Sequence, residues 1–220
     1  MILNEQVAAF RAGGPGFPQT LLADFDSEAP SDLWAAGPLA LLGYPKTGFF
    51  CSSQCPGSIV LKTFDAITRM RDEGQVLIGG FHSVMEWECL GILLRGHQPV
   101  IWVPARSIAG MHLKPELVPA FNAGRLLILS PFPPKDKRIT AALAEARNHF
   151  VGALADRIFV PHAAPAGKTA TLVHQLFSQG KEVYTIDDRF NRELIFMGAI
   201  SVGNGRIAPN GVVRSVNATG

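Results

Sequence analysis

The 220-residue sequence is poor in cysteine, in net charge and in long apolar runs. With three cysteines and no basic, apolar leader at its start, it is expected to be a cytoplasmic protein with reduced thiols. A formal net charge of +2 is too small to indicate a polyanionic partner by itself. No apolar run has the length of a membrane span, so no membrane partner is expected.

What the chain does have is enough apolar sequence for a large core, because 47% of its residues are hydrophobic. We predict an N-terminal helix (4–12) and irregular lead-in over residues 1–36. A single Rossmann-like domain is predicted over 37–202, followed by a tail over 203–220.

Apolar runs alternate with segments of helical spacing from residue 47 onwards. The predicted strands are 47–51, 75–80, 99–104, 125–130, 157–162 and 182–186. The predicted helices are 58–74, 86–96, 114–124, 140–155 and 168–180. This order predicts an α/β, Rossmann-like fold, with an open, mostly parallel sheet and helices on both faces. Because such sheets bind ligands beyond the carboxyl ends of their strands, functional residues are expected in the loops that follow the strands.

The first of these loops, "CSSQCPG", contains Cys51 and Cys55. The two cysteines are compatible with half of a metal site, with a redox pair, or with a loop whose conformation serves another purpose. A structural zinc site needs about four ligands, yet Cys89 lies in a helical pattern and no histidine neighbours the pair, so no metal is predicted. Ser52 and Ser53 precede a helix, where they can either bind phosphate or cap the helix.

The loop after the second strand offers Gly79 and Gly80, which allow close approach of a ligand, followed by His82 and Ser83. The histidine can donate to a phosphate, but a local hydrogen bond is the favoured interpretation.

The loop after the fifth strand contains Gly167, Lys168 and Thr169, which resemble part of a Walker motif. Because His162 stands where that motif needs a glycine, a Walker ATPase is rejected. Lys168 can contact a phosphate or be solvated.

Two further groups of cations are candidates for anion binding. Lys135, Lys137 and Arg138 lie in one loop near Phe132, a composition that suits single-stranded nucleic acid, although a solvated loop is more common. Arg147, with Asn148 beside it, falls on the apolar stripe of helix 140–155 and therefore needs a carboxylate or a phosphate as partner.

Six segments, in this order, resemble the DprA (Smf) family of DNA-processing proteins over residues 33–202. They read "KTGFFCSSQCPG", "VLIGGFHSVMEWECL", "GRLLILSPFPP", "RNHFVGALADRIFV", "AGKTATLVHQLFSQGKEVYTI" and "NRELIFMGAISV". The Arg-Asn segment is the most specific of them.

The resemblance implies a non-catalytic, cytosolic protein without a cofactor that binds single-stranded DNA, forms a homodimer and loads a recombinase. The position of the family arginine that contacts single-stranded DNA falls at or beside Ser53, where this chain has no arginine. This absence argues against recombinase loading. The long loop after the third strand carries Arg106 and Lys114 instead of the family pattern.

The alternative is a nucleotide- or phosphate-binding sensor, or a nucleotide-processing enzyme similar to the LOG phosphoribohydrolases. Those enzymes carry Pro-Gly-Gly-x-Gly-Thr-x-x-Glu, whereas this chain has "PAGKTATLVHQ", without the glutamate. Glu86 is the candidate to take the place of that glutamate. DNA binding is favoured over this alternative.

Overall fold

The structure is a computed structural model that describes residues 1–3, 6–15, 17 and 30–203. Its strands are β1 (Val7–Arg11), β2 (Asp32–Ala36), β3 (Lys46–Phe49), β4 (Val76–Gly79), β5 (Val100–Trp102), β6 (Leu126–Ser130), β7 (Arg157–Phe159), β8 (Val183–Ile186) and β9 (Ile200–Val202). Its α-helices are α1 (Gly57–Asp72), α2 (Val84–Leu94), α3 (Val118–Asn122), α4 (Ala141–Leu154), α5 (Lys168–Ser178) and α6 (Arg192–Phe196). The described residues contain no helix with the length and hydropathy of a membrane span.

The nine strands in the described part of the chain form one sheet in the order β1-β2-β6-β5-β4-β3-β7-β8-β9. The seven strands from β6 to β9 in this order are parallel, whereas β1 and β2 are antiparallel additions at one edge. The predicted mostly parallel sheet is therefore confirmed.

Two apolar clusters cover the two faces of the sheet, as in a doubly wound fold. On one face, Ile78 and Ile101 pack with residues of α4 and α5. On the other, Leu77 and Val100 pack with α1, α2 and α3. Neighbouring strand residues point to opposite faces, which explains why these strands are apolar throughout.

The predicted helix over residues 4–12 is wrong, because Val7–Arg11 is strand β1. Its short sequence has no decisive period, and pairing with β2 across 7–11 and 32–36 determines its conformation. The division of the chain at residues 36 and 203 stays a prediction, and the tail beyond Gly203 lies outside the described residues.

Candidate functional site

The sheet has a topological switch point between β3 and β7. These strands are neighbours, and the chain leaves them in opposite directions, from β3 through α1 to β4 and from β7 through α5 to β8. We call residues 50–56 and 160–167 the switch-point loops. The segments 103–114 and 131–140, which follow β5 and β6, are the outer loops.

The switch-point loops are fastened to each other through Ser52. Its backbone N–H donates to the His162 carbonyl oxygen at 3.0 Å, and its hydroxyl accepts from the Ala164 N–H at 2.9 Å. Ser52 is buried, whereas Ser53 is exposed. Of the two serines, Ser53 is thus the one that faces solvent.

A buried Asn191 supports the second switch-point loop. Its amide nitrogen donates to the carbonyl oxygens of Pro161 (2.7 Å) and Ile186 (2.9 Å). Its side-chain oxygen lies 2.9 Å from Nδ1 of the buried His162. Asn191 is the first residue of the "NRELIFMGAISV" segment that carries the resemblance, but no signal in the sequence indicates its role.

The helices that start at the switch point lack side-chain caps. Pro56 is the N-cap residue of α1 and Gly167 that of α5, and neither helix has a side-chain capping hydrogen bond. By contrast, Ser83 caps α2 and Thr140 caps α4. Uncapped helix N-termini leave backbone N–H groups for water or an anion.

Lys168 and Thr169 open α5, next to Gly167. Lys168 is exposed and Thr169 is half-buried. The preceding Ala166 has φ of 53°, a left-handed conformation that is uncommon for a residue other than glycine. This turn places Gly167, Lys168 and Thr169 at the edge of the switch point.

Glu86 joins the loops that follow β3 and β4. Its buried carboxylate accepts from the backbone N–H groups of Cys51 (3.0 Å), His82 (2.8 Å) and Ser83 (3.1 Å). Ser83 in turn accepts from the Glu86 N–H, which completes a capping box. A carboxylate of the protein therefore already holds three N–H groups that could otherwise have bound an external anion.

Arg147 is buried where the loops after β4 and β5 meet. Its Nη1 donates to the Val103 carbonyl oxygen at 3.2 Å, and its Nε donates to Asn148 Oδ1 at 2.8 Å. Among the described residues it forms no ion pair. Burial lowers the pKa of the guanidinium, and the nearby charge of Glu86 opposes that shift.

Gly79 is the last residue of β4, Gly80 follows it, and both are buried. A Cβ added to Gly80 would overlap the Arg147 guanidinium. The sequence predicts that this glycine pair allows a ligand to come close. At Gly80, the free space is instead occupied by the Arg147 side chain. His82, two residues after Gly80, is exposed.

The outer loops are joined to each other and carry exposed cations. The Ser107 N–H donates to the Asp136 carbonyl oxygen at 2.7 Å, and Ser130 Oγ donates to the Arg106 carbonyl oxygen at 2.9 Å. An open cleft of about 460 Å³ lies beside them. It is lined by Lys135, Asp136, Lys137, Arg138, Thr140, Ala142 and Leu143.

The aromatic residue of this region does not face the cleft. Phe132, expected to offer a stacking face near the cations, is 6% exposed and belongs inside the fold. That expectation is wrong, because the apolar ring packs inward while its charged neighbours remain in solvent.

The structure thus brings the predicted residues together along one edge of the sheet, in two groups. Ser53, His82 and Lys168 are exposed near the switch point, whereas Lys135, Lys137 and Arg138 are exposed on the outer loops. No cluster of three or more metal-ligating side chains occurs within the described ranges.

No family model matches the chain, and neither does any curated protein. Among solved structures, DNA processing protein A (DprA) from Streptococcus pneumoniae is 19% identical, with a TM-score of 0.75 over 91% of this chain and 72% of that one. DNA processing protein A from Helicobacter pylori, described with its single-stranded DNA binding mode, is 20% identical, with a TM-score of 0.72 over 91% of this chain and 93% of that one.

A more distant similarity is to the molybdenum cofactor carrier protein from Chlamydomonas reinhardtii. It is 12% identical, with a TM-score of 0.51 over 73% of this chain and 91% of that one. The two bacterial structures match nearly the whole chain, which confirms the resemblance inferred from the sequence segments at the level of the fold. The chain has a DprA-like, Rossmann-like fold.

Proposed function

We propose that the protein binds single-stranded DNA without catalysing a reaction and acts in DNA processing. The observation that carries this proposal is the group of exposed cations on the outer loops, beside an open cleft. Single-stranded nucleic acid is bound by a positively charged groove that follows its backbone. The H. pylori protein of the same fold is described as binding single-stranded DNA.

The strand would cross the carboxyl edge of the sheet from α5 to the outer loops. Lys168 and the uncapped start of α5 lie at one end of this path, and Lys135, Lys137 and Arg138 lie at the other. The three strand spacings from β3 to β6 alone span roughly 14 Å. That length suits a chain of several nucleotides better than one nucleotide.

Arg147 supports the loops along this path from beneath and does not contact the DNA. The guanidinium is buried and holds the loop after β5 in place through the Val103 carbonyl oxygen. We infer that it adds positive potential beneath the edge, whereas the exposed cations make the phosphate contacts.

A nucleotide sensor remains the second candidate because α1 and α5 both start uncapped at the switch point. A mononucleotide phosphate could bind there. The position of Glu86 favours DNA over this alternative, since its carboxylate takes the N–H groups between β3 and β4. The same hydrogen bonds favour a structural role for Glu86 over acid or base catalysis.

A pair of single variants tests the proposed surface. Lys137→Ala removes a cation from the outer loops, and Arg95→Ala removes an exposed cation at the C-terminal end of α2, on the opposite edge. Fluorescence anisotropy with labelled oligo-dT at low salt should show weaker binding for Lys137→Ala and unchanged binding for Arg95→Ala.

Equal effects of the two variants would contradict a specific path across the carboxyl edge. Tight binding of AMP by a protein that does not bind oligo-dT would favour the sensor instead.

We also propose a homodimer located in the cytoplasm, as the resemblance implies, and we do not propose recombinase loading. Sedimentation velocity at several concentrations tests the dimer. A species of constant monomer mass over the whole range would contradict it.

A further inference from the structure

Two tryptophan side chains meet at the carboxyl edge of the sheet. Trp87 lies in the first turn of α2, which follows β4, and Trp102 is the last residue of β5. Their ring centroids are 5.9 Å apart and the ring planes meet at 73°, which is an edge-to-face contact. The indole N–H of Trp102 donates to the Gly80 carbonyl oxygen at 3.0 Å. This hydrogen bond fixes the ring of Trp102, and the edge contact in turn supports the ring of Trp87.

Lys114, the last residue of the loop 103–114, covers the Trp87 ring from the solvent side. Its ammonium lies 3.7 Å from the ring centroid, which is a cation–π contact. Lys114 is exposed, and both tryptophans are half-buried. Because a solvent-exposed side chain covers this part of the ring, rotation of the lysine alone would open the ring to a ligand.

The charge of Lys114 is not neutralised by a carboxylate. In the part of the chain that the structure describes, the ion pairs involve other cations. The attraction between an exposed ammonium and an indole is weaker than the stacking of a nucleobase on an aromatic ring. A base can therefore displace the ammonium, and the displaced ammonium is then free to pair with a phosphate.

The position of the two tryptophans suits the proposed path of the DNA. In the sheet, β4 and β5 lie between β3 at the switch point and β6. The loop that ends at Lys114 is fastened to the loop 131–140, which carries exposed cations, since the Ser107 N–H donates to the Asp136 carbonyl oxygen. That second loop has no exposed ring of its own, because Phe132 is buried. The tryptophans supply the aromatic surface that the exposed cations lack.

We propose that Trp87, supported by Trp102, is a stacking site for one base of single-stranded DNA, and that Lys114 then pairs with a neighbouring phosphate. The base takes the place of the ammonium on the ring, and the ammonium turns to the DNA backbone. This inference rests on the proposed function and adds to it a contact with a base. Because every base has a π-face, the site accepts any base.

A comparison of two labelled oligonucleotides isolates the contact with the base. One is oligo-dT, and the other has the same length and the same phosphates but carries abasic sites throughout. Fluorescence anisotropy at low salt should show that the unchanged protein binds oligo-dT about tenfold more tightly than the abasic strand. Trp87→Leu should lose most of this preference and keep the affinity for the abasic strand.

Two further variants serve as controls. Phe121→Leu is the matched control, because Phe121 is a half-buried ring of the same apolar cluster but lies on α3, close to the start of β6 and hence to the opposite edge. It should keep the full preference for oligo-dT. Lys114→Ala should keep the preference as well, since the ring stays in place, but the slope of log K against log salt should become shallower by about 0.7.

Intrinsic tryptophan fluorescence gives a second readout. A base that stacks on an indole quenches its emission, so saturating oligo-dT should quench the unchanged protein, whereas the abasic strand should not. Trp87→Phe should lose most of the quenching and, because it retains a ring, keep part of the preference for oligo-dT. Each variant is first compared with the unchanged protein by circular dichroism, and Trp87→Phe provides the test if Trp87→Leu does not fold.

The possible results separate this inference from the proposed function. If neither strand binds at low salt, the proposed function and the stacking site both fail. If the unchanged protein binds both strands equally, or if Trp87→Leu keeps the full preference for oligo-dT, only the stacking site is refuted. A Trp87→Leu protein that is less stable but keeps the preference would show that the contact between Trp87 and Lys114 is structural.

Discussion

The switch-point loops and the outer loops lie on the same edge of one sheet but are built in different ways. Around the switch point, Ser52, His162 and Asn191 are buried and satisfy each other and the backbone. On the outer loops, Lys135, Lys137 and Arg138 extend into solvent beside a cleft. The crevice that the topology creates is thus held together largely by internal hydrogen bonds, and the exposed charge that can bind a polyanion is concentrated to one side of it.

This difference suggests which part of the edge is support and which part is contact. Glu86 and Arg147 lie between the two regions and hold the loops after β3, β4 and β5 in position. Both are buried, so changing them should act through stability. Changing the exposed cations should act through binding.

The largest expected effect follows from Gly80→Ala. The new Cβ would overlap the Arg147 guanidinium, which would be forced away from the Val103 carbonyl oxygen. We expect the free energy of unfolding, measured by urea denaturation, to fall by about 3 kcal/mol.

Gly91→Ala is the matched control for Gly80→Ala, because an added Cβ at this helical position meets nothing within 4 Å. It should raise the free energy of unfolding by about 1 kcal/mol. Similar losses in both variants would show that Gly80 makes no special room for Arg147.

The next effect concerns the outer loops. Replacing Lys135, Lys137 and Arg138 together with alanine should weaken oligo-dT binding about tenfold or more at low salt. The slope of log K against log salt should become shallower by about 2, because each phosphate contact contributes roughly 0.7.

Urea denaturation should show little change in the stability of this triple variant, since all three side chains are exposed. Binding that is unaffected would reverse the assignment of the two regions.

A gain of binding is expected when charge is added to the switch point. Ser53→Arg places a guanidinium on an exposed position of the loop. Affinity for oligo-dT should rise about threefold, with a salt slope steeper by about 0.7.

Ser178→Arg adds the same charge to an exposed residue at the C-terminal end of α5, on the opposite edge. It should leave binding unchanged. An equal rise for both variants would mean that net charge, and not its position, sets the affinity.

The smallest effect concerns an ion pair beside the switch point. Lys62 Nζ lies 2.8 Å from Asp188 Oδ2, and this hydrogen bond is the main cause of the lowered Asp188 pKa. A carboxyl with a lowered pKa stabilises the fold above its unfolded pKa of about 4, and the contribution is lost as the pH falls through the folded value.

Because Lys62 is half-exposed, the contribution should be only a few tenths of a kcal/mol. Unfolding free energies measured across the acid range should therefore decline slightly less for Asp188→Asn than for the unchanged protein. An identical decline would show that the pair contributes nothing to stability.

The order of strands and helices from residue 47 onwards could be predicted because its signals are local. Buried parallel strands are apolar throughout, and helices show their own spacing. The strand at Val7–Arg11 could not, since its conformation depends on a partner strand that is more than twenty residues away. The same limit applies to β2, which lies within the segment that the sequence predicts to be irregular.

The candidate site was predictable in its place but not in its contacts. The rule for parallel sheets locates the loops, and it placed Ser53, Lys137 and Lys168 at one edge. It could not reveal that Gly80 accommodates Arg147, or that Glu86 accepts three backbone N–H groups, because these contacts join segments distant in sequence. The burial of the Phe132 ring could not be predicted from the sequence either.

The most direct measurement is a titration of labelled oligo-dT with the unchanged protein at several salt concentrations, with AMP as competitor. A path of several phosphates predicts binding that weakens steeply with salt, with a slope of about −2 or steeper, and little competition by AMP. Absence of oligo-dT binding at low salt, or binding that is insensitive to salt and displaced by AMP, would contradict the account.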